Sequence, residues 1–283
     1  MSLTDLPPQS SINPLADAYG VECLKRTAAV IKSHRTVLDV PYGGDYWQKI
    51  DIYLPPNAAL RDLPVLLFFH GGGWTHGYKE WCGLMAPPLF EVPAILVSVS
   101  YRLHPAAPYP APIRDGFAAL RWVHDNIARH GGSPDRLFVG GHSAGAHLSA
   151  VMALRPDWLA EAGLPAGTIK ACFPISGSLG KRGVTGTPAA GYAMPPGPLQ
   201  LDEGTPLTLL ANAKVPFHIT WGGTERQRER VERSGMQLIC GLRDANCRAD
   251  WLFLPDADHF QTHLITGEPG NPWTKTLGAW MTA

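Results

Sequence analysis

The chain has 283 residues, with 24 Lys+Arg against 24 Asp+Glu, and is 45% hydrophobic and 17% charged. That balance excludes the positive excess by which nucleic acid or an anionic membrane is captured, and it suits one large core-forming α/β unit. No apolar run approaches the ~20 residues of a membrane span, the opening Met1-Ser-Leu-Thr-Asp-Leu lacks a basic leader, and the five cysteines form no C-x-x-C pair, so a cytoplasmic, reduced protein with neither disulfide framework nor zinc cluster is expected.

In chain order, Pro14–Ser33 places Leu15, Ala18, Tyr19, Leu24, Ala28 and Ile31 at roughly helical spacing. Residues 1–35 therefore read as an N-terminal helical cap segment ahead of a catalytic domain over 36–283. Thr36–Val40 and Trp47–Tyr53 read as two strands joined through Tyr42-Gly43-Gly44-Asp45. Apolar runs follow at Val65–Phe69, Ala94–Val99, Leu137–Val139, Ile169–Ile175, Phe217–Trp221 and Trp251–Leu254. Such unbroken runs are the pattern of strands buried on both faces. Helical patterns at Ile113–Arg129, Ala144–Leu154 and Arg226–Leu242 are interspersed among them. The alternation predicts an α/β fold with a mainly parallel central sheet flanked by helices. Residues 177–204 are rich in Gly and Pro and carry no periodicity. They are expected to form a lid over the carboxyl edge of the sheet together with the N-terminal helix, the alternative being a plain surface loop.

Two motifs carry chemistry. Gly141-His142-Ser143-Ala144-Gly145 follows the run Leu137–Val139 and opens a helical pattern, the context of a nucleophile elbow. The turn is tight enough to demand near-absent side chains two residues either side of the serine, and it leaves the hydroxyl exposed. His70-Gly71-Gly72-Gly73-Trp74 directly follows the strand Val65–Phe69. Successive glycines let backbone N–H groups converge on one point, as the oxyanion of acyl transfer requires. The N–H groups of Gly72, Gly73 and Ala144 are the candidate donors. Phosphate cradling is disfavoured, because neither a following Lys-Ser/Thr nor G-x-G-x-x-G spacing is present.

A nucleophilic serine needs a base, and the base an orienting carboxylate. The elbow resembles that of the α/β-hydrolases, in which acid and then base follow the nucleophile along the chain. On that order His259, just past the run Trp251–Leu254, is the candidate base, with His263 its competitor one helical turn on. Glu225, closing the turn Gly222-Gly223-Thr224 after Phe217–Trp221, is the candidate acid. Its alternative role is a helix N-terminal carboxylate favoured by the macrodipole. Asp256 and Asp258 are read as turn residues. Glu229 and Arg233 are spaced for an i,i+4 pair, and Arg102 with Asp115 for a structural ion pair. Trp74 and His142 are the candidate substrate-lining residues, and Trp74, Tyr78 and Trp81 either line an apolar pocket or pack in the core.

With these motifs in order, the chain resembles the α/β-hydrolase superfamily over residues 36–283. Val99-Ser-Tyr-Arg-Leu-His-Pro and Tyr109-Pro-Ala-Pro-Ile-Arg-Asp are similar to the esterase side of the hormone-sensitive-lipase-like group. That group commonly has Asp inside its elbow and an Asp acid, where this chain has His142 and Glu225. Gly141-His-Ser-Ala-Gly-Ala-His-Leu and the Gly-Gly-Thr-Glu turn look more like the kynurenine formamidase (arylformamidase)-like esterases. The resemblance implies a serine hydrolase without cofactor or metal. Its partner would be a small-molecule ester or an aryl amide rather than nucleic acid or membrane, with a homodimer left open. A non-catalytic ligand-binding protein on the same fold is the rival of a different class.

Overall fold

The computed structural model describes residues 5–180 and 204–282. Eight strands, β1 (Arg35–Pro41), β2 (Lys49–Leu54), β3 (Leu63–Phe69), β4 (Ile95–Val99), β5 (Gly132–His142), β6 (Ile169–Ile175), β7 (Phe217–Gly222) and β8 (Ala249–Leu254), form one sheet in the order β1-β2-β4-β3-β5-β6-β7-β8. β2 runs antiparallel to β1 and β4, and the remaining pairs are parallel. The helices are α1 (Pro14–Ser33), α2 (Ala86–Phe90), α3 (Ala111–Asn126), α4 (Ala144–Leu154), α5 (Pro156–Glu161), α6 (Arg228–Asp244), α7 (Gln261–Leu264) and α8 (Pro272–Met281). This is the α/β architecture that the alternation of runs predicts.

The unbroken apolar runs have a direct cause in the two cores. Along β3, Val65, Leu67 and Phe69 join a cluster with Phe117 and Leu120 of α3, Leu148 and Val151 of α4 and Leu238 of α6. Leu66 and Phe68 join a second cluster with Tyr19 and Cys23 of α1, Leu89 of α2, and Trp273 and Leu277 of α8. Side chains alternate across a strand, so a strand covered on both faces has no polar side to show.

Register sets the place of the site. Phe69 of β3 lies beside Gly141 of β5, Gly141 beside Pro174 of β6, and Gly222 of β7 beside Leu254 of β8. These strands therefore end at one edge, and the loops after them, carrying His70, Ser143, Ser176, Glu225 and His259, emerge together where open α/β sheets take ligands.

Several boundaries differ from the sequence pattern. β5 reaches back to Gly132, because Gly132 pairs with Leu63 although Ser133–Arg136 are polar or turn-forming. α3 stops at Asn126 and tightens into a 3₁₀ turn that ends at Gly131, where φ is 88°. α6 starts at Arg228, after a turn that holds Glu225. α8 carries no expectation from the pattern reading, although Asn271 caps it by accepting from Thr274 N and Pro272 occupies its first turn. Of the two readings for Tyr78 and Trp81, the structure shows core packing. They are buried, Trp81 edge-on to Tyr19 of α1 at 5.4 Å and to Tyr78 at 6.0 Å. Arg102 and Asp115 do pair, at 2.7 Å, with Gln48 Nε2 donating to the same carboxylate. Of the expected lid segment, residues 181–203 lie outside the described residues. Among those described, no helix is long and apolar enough to cross a membrane. No group of three or more His, Cys, Asp or Glu among them is placed to hold a metal.

Candidate active site

The turn from β5 into α4 pivots on Ser143, held at φ 55° and ψ −111°. A non-glycine residue there costs about 1–3 kcal/mol of local strain. The flanking glycines are obligatory by contact: a Cβ on Gly141 would sit 2.3 Å from the Gly145 carbonyl, and one on Gly145 would sit 2.0 Å from Phe69 O. Ser143 N donates to Ile175 O at 2.9 Å, which anchors the elbow to β6.

His259 stands in the loop between β8 and α7. Asp258 accepts from Phe260 N at 2.9 Å and Gln261 N at 2.8 Å, and so opens α7 immediately after His259. That is the turn role expected for Asp258, and Asp256 is exposed beside it. His259 Nε2 lies 3.0 Å from Ser143 Oγ, and Nδ1 lies 3.0 Å from Glu225 Oε2. With its Nδ1–H given to the carboxylate, the neutral ring turns its Nε2 lone pair to the hydroxyl. The sequence-predicted trio thus comes together in one hydrogen-bonded line, from residues far apart in the chain.

Glu225 is buried, and its second oxygen accepts from Gly222 N and Ser176 Oγ, both at 2.8 Å. Burial pushes this carboxyl up, but hydrogen bonds from His259, Gly222 and Ser176 and the adjacent imidazole outweigh it. The net displacement is below the ordinary carboxylate range, so Glu225 is held ionised. Ser176 did not stand out in the sequence. Its signal is positional alone, as the residue ending the β6 run beside the elbow. Its Oγ also meets Thr262 Oγ1 at 2.8 Å, and Thr262 Oγ1 donates to His259 O at 2.8 Å. With one proton each, the two hydroxyls satisfy two of these three contacts at a time, and together they fill the space between the backbone of His259 and the Glu225 carboxylate.

The glycine loop abuts the elbow. A Cβ on Gly71 would lie 3.2 Å from Ser143 Cβ. Gly72, Gly73 and Trp74 all take positive φ (118°, 63° and 73°), and Thr75 N and His76 N both donate to Gly72 O. A Cβ on Gly72 would collide with His76 O at 1.9 Å, whereas one on Gly73 would meet nothing within 4 Å. The loop thus turns an open face at Gly73 while its other side is closed by backbone. His70 is scaffold: buried, stacked on Tyr101 at 4.4 Å, and donating from Nδ1 to Gly71 O at 2.6 Å. Burial lowers its pKa to about 4.

Trp74 lies edge-on to Tyr101 at 6.3 Å and to His147 at 5.7 Å, at the border of this loop and α4. His147, one turn past Ser143, bonds Ser178 O at 2.8 Å and Gly204 O at 2.5 Å. It joins the two ends of the Gly/Pro-rich segment, a link the sequence reading missed. His142, expected to line the substrate, is instead buried, with Nε2 2.7 Å from His259 O. A β5 side chain preceding a turn this tight is directed into the protein rather than to the opening. His263, the competing base, is also buried, and its Nδ1 pairs with Tyr19 Oη at 2.8 Å rather than with Ser143.

A family model described as alpha/beta hydrolase fold matches residues 66–193, the span from β3 past the elbow. The carboxylesterase NlhH of Mycobacterium tuberculosis is 49% identical over 106 residues, covering 37% of this chain and 33% of that protein. The chain thus matches only about a third of that relative's length. The kynurenine formamidase of Danio rerio is 28% identical over 234 residues, covering 80% of this chain and 75% of that protein. Among solved structures, the carboxylesterase EstE1 from a metagenomic library superposes with a TM-score of 0.72 at 22% identity, covering 98% of this chain and 97% of that one. A Pyrobaculum calidifontis esterase gives 0.71 at 21% identity, covering 97% and 92%. By its sheet order and by the solved structures it superposes on, the chain has the α/β-hydrolase fold, and its sequence is similar to carboxylesterases and to a kynurenine formamidase.

Proposed function

We propose that the chain is a serine hydrolase that cleaves carboxylic esters of small to medium size through an acyl-enzyme. The observation that carries this reading is the line Glu225–His259–Ser143, with both contacts at 3.0 Å, ending on a serine in a strained turn. In the mechanism His259 Nε2 takes the hydroxyl proton as Ser143 Oγ attacks the acyl carbonyl. Glu225 holds the ring in its Nδ1–H form and stabilises the imidazolium that results. Backbone N–H groups of Gly72, Gly73 and Ala144 receive the developing oxyanion. The imidazolium then protonates the departing alcohol, and water deprotonated by His259 releases the acid and regenerates Ser143. Residues 1–35 act as a cap on the catalytic domain, and Trp74 borders the substrate.

A second reading, an aryl formamide as substrate, is favoured by one specific observation. The elbow histidine and glutamate acid coincide with a 28% identical match to a kynurenine formamidase over 80% of the chain. Both readings use the same three residues and differ in the pocket alone. The test compares wild type with Ser143→Ala on p-nitrophenyl esters of two to eight acyl carbons, on the order of the intended size range, and on N-formylkynurenine. Serine-dependent turnover with kcat/KM higher on the esters supports the esterase. A preference for the formamide selects the second reading. Equal activity of the two proteins refutes the triad, and inactivity of both on every substrate turns the reading toward a non-catalytic binder.

A further inference from the structure

The segment ahead of α1 is tied to the glycine loop at His76, Gly77 and Tyr78. Tyr78 Oη donates to Pro7 O, Ser10 Oγ lies 3.1 Å from His76 Nε2, and the Gln9 amide pairs with both backbone groups of Gly77. The Gln9 pairing is the most directional of the three. Gly77 N can only donate and Gly77 O can only accept, so a single amide orientation serves both. Gln9 Oε1 accepts from Gly77 N at 2.8 Å, and Gln9 Nε2 donates to Gly77 O at 3.2 Å. Residue 77 has to be glycine here, because its φ is 103° and a Cβ would lie 2.3 Å from His70 Nδ1 and 2.4 Å from Gly71 O. The mechanism uses none of these contacts.

What they hold is the backing of the candidate oxyanion donors. In a trans peptide the carbonyl of one residue and the N–H of the next point in opposite directions. The Gly72 carbonyl accepts from Thr75 N at 3.2 Å and His76 N at 3.0 Å, and this sets the direction of Gly73 N–H. The Gly71 carbonyl, which shares its peptide with Gly72 N–H, has Gly77 packed against it. The His76–Gly77 peptide also lies flush on Gly72. A Cβ on Gly72 would stand 1.9 Å from His76 O, 2.4 Å from His76 C and 3.1 Å from Gly77 N. That peptide is the one whose N–H Gln9 takes. A displacement of residues 76–77 is therefore passed to Gly72 by contact, and to Gly73 N–H through the Gly72 carbonyl.

We infer that Gln9 is a positioning residue for oxyanion stabilisation, acting through the His76–Gly77 peptide on the N–H groups of Gly72 and Gly73. This rests on the reading of those groups as the oxyanion donors and of Ser143 as the nucleophile. Losing one such donor outright costs about 10²–10³ in rate, and a misplacement of about 1 Å costs about a hundredfold. Without Gln9 the loop keeps its internal hydrogen bonds and is loosened rather than dismantled, so the expected loss is smaller than either.

The test uses the full chain. Gln9→Met keeps the length of the side chain and deletes both hydrogen bonds. Gln9→Glu keeps an acceptor for Gly77 N and loses the donor to Gly77 O. The substrate is whichever of p-nitrophenyl butyrate and N-formylkynurenine wild type turns over faster. Gln9→Met should lose about tenfold in kcat with KM and melting temperature little changed, and Gln9→Glu should lie between it and wild type. The acidic limb of the pH profile of kcat/KM, set by the base, should stay in place. Affinity for a trifluoromethyl ketone, whose adduct with serine carries an oxyanion, should weaken by the same factor as kcat, and affinity for the matching methyl ketone should not. Wild-type kcat in Gln9→Met overturns the role, as does a loss confined to KM or a shifted acidic limb. Unchanged trifluoromethyl ketone affinity beside a reduced kcat overturns it too. A loss of kcat matched by a collapse of melting temperature in both variants makes Gln9 an anchor of the fold and overturns it as well. Ser143→Ala separates the two levels. Its retained activity refutes the nucleophile, whereas an inactive Ser143→Ala beside a fully active Gln9→Met refutes only the positioning role.

Discussion

Two of the buried carboxylate clusters among the described residues, Asp51 and Glu80 with Lys79 and Glu225 with His259, differ in what they leave unsatisfied. Near β1 and β2, Lys79 Nζ takes Asp39 at 3.0 Å, Asp51 at 2.9 Å and Glu80 as well, so each of its three donors has an anionic partner. Burial pushes Asp51 up to about 6 despite the ammonium beside it. Burial works to lower Lys79, but Asp51 and Glu80 outweigh it and raise its pKa. At the carboxyl edge, Glu225 moves the other way and stays ionised. Its imidazole partner is spent on one side only, leaving Nε2 for a half-buried serine in a strained turn. A perturbed carboxyl is therefore no guide to chemistry by itself. What distinguishes the candidate site is a hydrogen-bond line that ends on the hydroxyl of Ser143 beside the glycine loop.

Glu225→Gln and Lys79→Met pull this contrast apart in opposite directions. Glu225→Gln leaves the ring without its anion, and ester turnover should fall by about 10³–10⁴ in kcat with a small change in melting temperature. Retention of more than a tenth of wild-type kcat would make Glu225 a helix-terminus carboxylate after all. Lys79→Met strands the buried Asp51 and Glu80 and the half-buried Asp39, and should cost about 3–5 kcal/mol of stability in urea unfolding. The kcat per folded molecule should be unchanged, and a selective loss of kcat would show that the ionic cluster serves the chemistry.

A gentler probe is pH. Burial depresses His70 and His218 to about 4 and His263 to about 3, and His142 lies well below its ordinary value. A depressed histidine contributes stability that is complete above about pH 6.5 and is lost as pH falls toward the folded value, because the unfolded chain binds the proton first. Asp51, raised in the fold, works in the opposite sense but as one group against four. Urea midpoints should therefore decline between about pH 6.5 and 4, and His218→Phe should flatten the decline. A midpoint independent of pH over that window would contradict the assignment of these rings as buried and neutral. The smallest effect is expected at the exposed Glu229–Arg233 pair on α6, where alanine at either position should leave the melting temperature unmoved. A clear drop would mean that α6 depends on its solvated face.

The reach of pattern reading varied with how local each cause was. Strands covered on both faces announce themselves as apolar runs, so the core of the sheet was legible, while the polar start of β5 at Gly132 was not, because only pairing with Leu63 makes it strand. The elbow and the glycine loop were legible because steric need writes itself as glycine, here confirmed by the contacts that a Cβ would make at Gly141, Gly145 and Gly72. His259 and His263 sit one helical turn apart, and spacing alone could not rank them. The choice was made by packing, which turns one ring to Ser143 Oγ and buries the other against Tyr19. His142 was misread for the same reason: being next to the nucleophile in the chain does not tell which way a side chain leaves the turn.

The amino-acid sequence by itself determined the α/β architecture, the strained serine, the glycine loop and the candidate trio, since these follow from periodicity, sterics and chain order. Tertiary structure alone decided that Ser176 and Thr262 stand between Glu225 and the His259 backbone, and that α1 delivers Tyr19 to the rings beside the candidate base. Those contacts join segments as far apart as 244 residues, and a hydrogen bond at that separation is a property of the packed fold, leaving no periodic trace in the chain.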